Sequence, residues 1–225
     1  MPVPLVPVKA LAEAKGRLAP TVGPLQRRLL AIAMFEDVVA ALQAVPGLDK
    51  PVVVSPDREV WRRADAMGCR VVEEPPGAGD LNAALTAAAR SLGDESALLV
   101  VAADLPLASA AGLQRVLAAA GAPVVVVPSH DDGGGGTNVL AWRDPSSFAP
   151  SFGPDSAGRH LAVPGAVRVD EPGLSLDVDT AEDLGLVAGR LDPSSVTARR
   201  LKDLGVPGLT QRSDSPGWNR DMLQP

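Results

Sequence analysis

Along the first half of the chain, short valine-rich apolar runs alternate with Ala/Leu-rich segments of helical period. Val3–Val8, Pro51–Ser55, Arg70–Val72, Ala97–Ala102 and Pro123–Val127 read as strands. Pro24–Val45, Arg58–Met67, Asp80–Leu92 and Ser109–Ala120 read as the helices between them. A strand that is apolar along its whole length needs cover on both faces, and a parallel sheet between two helix layers supplies it. The pattern predicts an α/β fold: a doubly wound, mostly parallel sheet whose ligands bind beyond the carboxyl ends of the strands. A length of 225 residues suits one core. With 3 Phe, 3 Trp and no Tyr, that core has to be built from Val, Leu and Ala.

From residue 129 the texture changes. Ser129–Gly136 is a polar, glycine-rich loop, and Thr137–Trp142 reads as a strand. A short helix is expected near Asp155–Leu161, then strands near Val167–Asp170 and Leu174–Asp177. This is a β-excursion after the fifth strand that returns to the sheet. Thr180 followed by Glu182 and Asp183 reads as a capped helix start. The domain is expected to span residues 1–205, with 206–225 a flexible tail rich in Gly, Pro and Ser.

Charge and composition exclude several classes. Acidic residues outnumber basic ones by 27 to 21, which argues against a broad basic grip on nucleic acid, and the scarcity of aromatics denies it stacking platforms. Cys69 stands alone, so neither an intramolecular disulfide nor a cysteine zinc site is expected; it reads as a small buried apolar residue. The first apolar run is interrupted by Pro4 and Pro7 and ends at Lys9, too short for a signal-peptide core. No stretch approaches the ~20 apolar residues of a membrane span. The expectation is a cytoplasmic protein with no membrane partner.

Four places can carry chemistry. The loop after the first strand holds Lys9, Lys15 and Arg17, including two of the four lysines of an acidic chain. Cations there can grip a polyphosphate, and the alternative is a solvated loop. Neither a Walker sequence nor G-x-G-x-x-G occurs, so P-loop and dinucleotide readings lose their main support. Asp104 ends the apolar Leu98–Ala103 run, where a carboxylate can hold a hard cation such as Mg²⁺ over phosphates; the alternative is a turn aspartate. Asp177 and Asp179 alternate, share one face if the segment is a strand, and can supply a second carboxylate to that metal. The glycine run at 133–136 with Thr137 and Asn138, and Phe152-Gly153-Pro154-Asp155-Ser156, offer close backbone approach and hydroxyl donors, or merely a hairpin and a bend. His160 lies one helical turn from Ser156 and either faces that pocket or is a partly exposed helix residue. His130-Asp131-Asp132 is read as a solvated loop rather than a metal site.

Taken in order, these blocks resemble the guanylyltransferases of coenzyme F-420 biosynthesis, a branch of the nucleotidyltransferases related to molybdenum-cofactor guanylyltransferase. The resembling blocks include Val6-Pro-Val-Lys9, Ala14-Lys15-Gly16-Arg17-Leu18, Arg27 and Arg28, Ser55-Pro-Asp57, and Gly77 through Asn82. Asp104-Leu-Pro106, Gly135-Gly-Thr137-Asn138, Phe152 through Ser156 with His160, and Asp177-Val-Asp179-Thr180 complete the set. The L-A-G-G opening of the molybdenum-cofactor and sugar relatives is absent, and a lysine-rich opening takes its place. The resemblance implies a nucleotide-diphospho-sugar transferase-like fold and transfer of GMP from GTP to a three-carbon phosphate acid, with release of diphosphate. It assigns Lys9, Lys15 and Arg17 to the GTP phosphates, and Ser55, Gly77, Leu81 and Asn82 to the nucleoside. Thr137, Gly153 and Ser156 would meet the acceptor, and Asp104 with Asp177 or Asp179 would hold Mg²⁺. The acceptor is phosphoenolpyruvate in actinobacterial members and 2-phospho-L-lactate in archaeal ones; an Ala/Arg-rich composition points to the first. Other acceptors, such as 3-phosphoglycerate, a sugar phosphate or molybdopterin, stay open, as do a non-catalytic nucleotide-binding role and a homodimer.

Overall fold

The computed structural model describes residues 1–74, 80–93, 96–130 and 135–204. Among the described residues seven strands form one sheet: β1 Val3–Pro7, β2 Val52–Ser55, β3 Arg70–Glu73, β4 Leu98–Val101, β5 Val124–Pro128, β6 Thr137–Trp142 and β7 Val167–Arg168. Their order is β3-β2-β1-β4-β6-β5-β7. Only β6 runs against the rest, antiparallel to β4 and β5, while the other pairings are parallel. The reversal has a local cause: β5 and β6 are joined by the short glycine-rich loop, too brief for the crossover that parallel neighbours require. It brings the first residues of β6, Thr137 and Asn138, to the edge where the other strands finish; the Ala102 amide donates to the Asn138 carbonyl at 2.9 Å.

Alternate residues of each central strand enter opposite cores. Val6, Val53, Leu99, Val101, Val125, Val127 and Val139 pack with Phe35, Val38, Val39 and Leu42 of α1 (Pro24–Gln43). The same layer takes Val60 of α2 (Arg58–Ala66) and Leu113 and Val116 of α4 (Ala110–Ala118). Leu5, Val52, Leu98, Val100, Val124, Val126 and Leu140 face the other way, against Leu85 of α3 (Leu81–Leu92) and Ala157 of α5 (Ser156–Leu161). The doubly wound expectation, and a core of Val, Leu and Ala, are therefore realised. Trp142 and Phe148 meet edge-to-face at 5.6 Å. Cys69 is buried, and burial pushes its thiol up from the ordinary value.

One expected strand is absent. Leu174–Asp177 does not join the sheet; a short helix, α6 (Pro172–Ser175), stands there, and the chain runs irregularly through residues 176–179. Pro172 supplies the fixed φ of a first helical residue, and the Glu171 carbonyl accepts from the Leu174 and Ser175 amides. Glu171 is itself held by a two-point ion pair to Arg115 of α4, at 2.6 and 2.9 Å. The strand expected over Val167–Asp170 shrinks to two residues. Thr180 does cap α7 (Ala181–Ala188), and the Asp183 carboxylate completes the reciprocal box. The last helix, α8 (Val196–Leu204), is started by Asp37 of α1, whose carboxylate accepts from the Val196 and Thr197 amides, both at 2.8 Å. No helix among the described residues is long and apolar enough to cross a membrane. The expected tail, 206–225, lies outside the described residues.

Candidate active site

Asp104 follows β4, and its carbonyl accepts from the Val178 amide at 3.2 Å. That bond lays the 176–179 segment across the end of β4, with the wholly buried Val178 as its anchor. Asp177 and Asp179 flank the anchor, and one carboxylate oxygen from each comes within 4.8 Å of the other and of Asp104. The shared face expected of a strand is thus produced by an irregular segment pinned at its middle. Asp177 is fixed by two donors, the Ser129 hydroxyl at 2.7 Å and the Asn138 amide at 3.1 Å. The same Asn138 amide donates to the Leu174 and Ser175 carbonyls, so the first residues of β6 hold α6 and Asp177 together. Burial, reinforced by the Asp104 charge and opposed by these hydrogen bonds, pushes the Asp177 carboxyl above the ordinary range. Three carboxylates offering hard oxygen donors at this spacing fit a divalent cation of the Mg²⁺ type.

Lys15 closes the cluster from the other side. It sits between two 3-10 turns, Leu11–Glu13 and Gly16–Leu18, with left-handed backbone at φ 55° and ψ 41°. Asp57 fixes the approach, since its carboxylate accepts from Leu11 of the loop and from Glu59 of α2. The Lys15 ammonium pairs with Asp104 and, at 3.0 Å, with Asp179. Its side chain is only 7% exposed. Burial alone would lower its pKa, but the charges and hydrogen bonds of Asp104 and Asp179 outweigh that and hold it above the ordinary value. Arg17 is exposed and lies 3.8 Å from Asp179. Lys9 is also exposed, and among the described residues it forms no ion pair.

A second polar group surrounds the start of β6. The Ser156 hydroxyl lies 3.0 Å from that of Thr137, which lies 3.0 Å from His160 Nδ1. All three residues are buried. The chain ahead of them is tied at three points. The Ser151 amide donates to His160 Nε2 at 2.9 Å, Asn82 clamps the Phe152 amide and carbonyl at 2.6 and 3.1 Å, and Arg159 donates to the Ser151 and Pro154 carbonyls. Gly153, at φ +122°, makes the turn between these ties, a conformation that side chains rarely adopt. Burial, with a smaller contribution from the Arg159 charge, holds the His160 imidazole down at about 4.

Not every expected residue stands free. Ser55 ends β2 fully buried, its hydroxyl accepting from the Asp57 amide and its carbonyl from the Trp61 indole. Leu81 is half-buried at the start of α3 against the second core. The Asn82 amide is committed to Phe152 rather than left open. Gly77, Gly79, Asp131, Asp132 and the first two glycines of the 133–136 run lie outside the described residues. Asn138 and Ser129 draw no role of their own from the sequence; a polar pair bracketing a glycine-rich loop is the available signal. His160 is a buried hydrogen-bonded group and not a surface one.

Residues 3–206 match the family described as "Guanylyl transferase CofC like". The chain is 42% identical over 208 residues to a phosphoenolpyruvate guanylyltransferase from Nocardia farcinica, covering 89% of this chain and 91% of that one. It is 43% identical over 205 residues to one from Streptomyces coelicolor, covering 88% and 95%. Among solved structures, a nucleotidyl transferase from Methanothermobacter superposes with a TM-score of 0.60 at 19% identity, covering 89% of this chain and 98% of that one. A CMP:2-keto-3-deoxy-manno-octonic acid synthetase complexed with CTP gives 0.55 at 14%, covering 85% and 100%. At those identities the superpositions speak to the fold.

A divalent cation held by Asp104 and Asp179 would have to compete with the Lys15 ammonium that pairs with both. Lys15→Met is expected to tighten Mn²⁺ binding to the nucleotide-free protein several-fold, read by calorimetric titration; unchanged or weaker binding would remove Asp104 and Asp179 as the ligands. The low His160 pKa also fixes a direction for stability. Below about pH 6.5 the unfolded chain takes up the imidazole proton first, so stability falls with pH until about 4, where both states are protonated. The loss from this group amounts to about 3 kcal/mol, and urea unfolding should show a shallower slope over this window in His160→Asn than in the parent.

Proposed function

Because the chain belongs to the guanylyl transferase CofC-like family, we propose that it transfers GMP from GTP to phosphoenolpyruvate, releasing diphosphate, as a step of coenzyme F-420 biosynthesis. It is a nucleotidyltransferase by family. The observation that carries the nucleotidyl-transfer reading is the gathering of Asp104, Asp177 and Asp179 within 4.8 Å at the carboxyl edge of the sheet, with Lys15 among them and Arg17 beside them; the choice of acceptor is supported by the curated relatives. Such a cluster serves polyphosphate chemistry, where negative charge has to be gathered and offset.

In this reading an oxygen of the acceptor phosphate attacks the α-phosphorus of GTP in line. The bond from that phosphorus to its bridging oxygen breaks, and diphosphate leaves with the electron pair. A phosphate monoester has its second pKa near ~6, so at neutral pH the nucleophile is already largely dianionic and no side chain has to take a proton from it. What remains for the protein is positioning and charge. Lys9, Lys15 and Arg17 meet the GTP phosphates. The nucleoside would lie along the segment of Ser55, Gly77, Leu81 and Asn82, with the side chains of Ser55 and Asn82 serving the Asp57 amide and the Phe152 backbone, and the acceptor against Thr137, Gly153 and Ser156. Asp104, Asp177 and Asp179 would hold Mg²⁺, which would offset the charge that builds on the phosphate oxygens.

Diphosphate release from GTP, measured in parallel with phosphoenolpyruvate, 2-phospho-L-lactate and 3-phosphoglycerate, tests the reading. Release is expected with phosphoenolpyruvate, while preference for another acid would reassign the acceptor and release with none would leave only nucleotide binding. Asp104→Asn should lower turnover by ~10²-fold or more, on the order of ~3 kcal/mol of transition-state stabilisation, while retaining the fold by circular dichroism; near-parental turnover would sink the metal assignment.

A further inference from the structure

His160 is buried, hydrogen-bonded at both ring nitrogens, and has no part in the reaction as described so far. The Ser151 amide can only donate, so Nε2 must present a lone pair to it. That amide is itself placed by the Asn82 clamp on Phe152 and by Arg159 on the Ser151 carbonyl. Among the described residues no carboxylate is bonded to the ring, and burial keeps the imidazole neutral down to about pH 4. Its one proton is therefore on Nδ1 and is donated to the Thr137 hydroxyl.

The hydrogens can then be counted. Thr137 and Ser156 carry two hydroxyl hydrogens, and the contact between them uses one. Among the described residues neither hydroxyl has another acceptor. With Nδ1 as donor, one hydroxyl hydrogen is left over. With the opposite tautomer, Thr137 would donate to Nδ1 and Ser156 to Thr137, so that the pair would present only lone pairs.

We infer that His160 is a positioning residue for an anionic acceptor: by donating from Nδ1 to Thr137 it leaves the Thr137–Ser156 pair one hydroxyl hydrogen for a carboxylate or phosphate oxygen. The inference rests on the reading above for the placing of the acceptor against Thr137 and Ser156 and for the identity of the anion.

The tautomer is read directly from ¹⁵N resonances of the imidazole at neutral pH. A protonated Nδ1 and bare Nε2 are expected, and an Nε2–H ring overturns the inference. Two variants separate the ring's two contacts. In His160→Asn the amide nitrogen takes the place of Nδ1 and can still donate to Thr137. In His160→Gln the side chain reaches the place of Nε2 and serves Ser151 alone. The Gln variant should raise the KM for phosphoenolpyruvate about ten-fold, leaving the KM for GTP within about two-fold, and the Asn variant should restore most of the loss. Equal changes in both KM values would show a merely structural role and overturn the assignment. Absence of turnover in the parent would remove the transferase reading alone. Calorimetric binding of phosphoenolpyruvate would then decide: weaker in Gln than in Asn supports the role of His160, and equal affinity in parent and both variants overturns it.

Discussion

Three carboxylates gathered at one sheet edge repel one another, and the fold accommodates them by placing the Lys15 ammonium among them. Much of the surrounding architecture serves that balance. The basic loop is held by Asp57 so that Lys15 turns inward through a left-handed backbone conformation. The 176–179 segment is fixed by Val178, buried below and bonded to Asp104 above, so that its two acids project on either side. Asn138 brings the reversed strand into the same arrangement. The surplus acidity of the chain is thus locally structured, and two of its four lysines fall in the loop that answers it.

The layered sheet was legible because burial on both faces leaves a continuous apolar signature. No alternation of apolar and polar residues was needed to see it; runs such as Val124–Val127 and Leu98–Val101 were enough. Carboxylates at strand ends were legible for the same reason, since Asp104 interrupts an otherwise apolar stretch. The segment after Val167 was not. Its alternating Leu and Asp mimic a strand, but the geometry there is decided by Pro172, by the Glu171–Arg115 pair and by the Val178 anchor, two of which are long-range.

The polar side chains away from the carboxylates show a different limit. Residue type identifies Asn82, Ser55 and His160 as groups able to bind something, but not which partner wins. In the fold Asn82 is satisfied by the Phe152 backbone, Ser55 by the Asp57 amide, and His160 by Ser151 and Thr137. Buried polar groups take the nearest partner of the right kind, and that partner here lies up to 70 residues away. The blocks carrying the family resemblance therefore mix residues positioned to meet ligands with residues that hold others in position.

The pairing of Lys15 with Asp179 joins positions 164 residues apart. During synthesis the ammonium emerges long before its second partner, and no contiguous fragment that stops short of Asp179 contains the full charge set. Loop closure over such a span is favourable only once the intervening strands have docked. The electrostatic centre thus exists only when both ends of the domain are in place, and its presence reports that the span between them has closed.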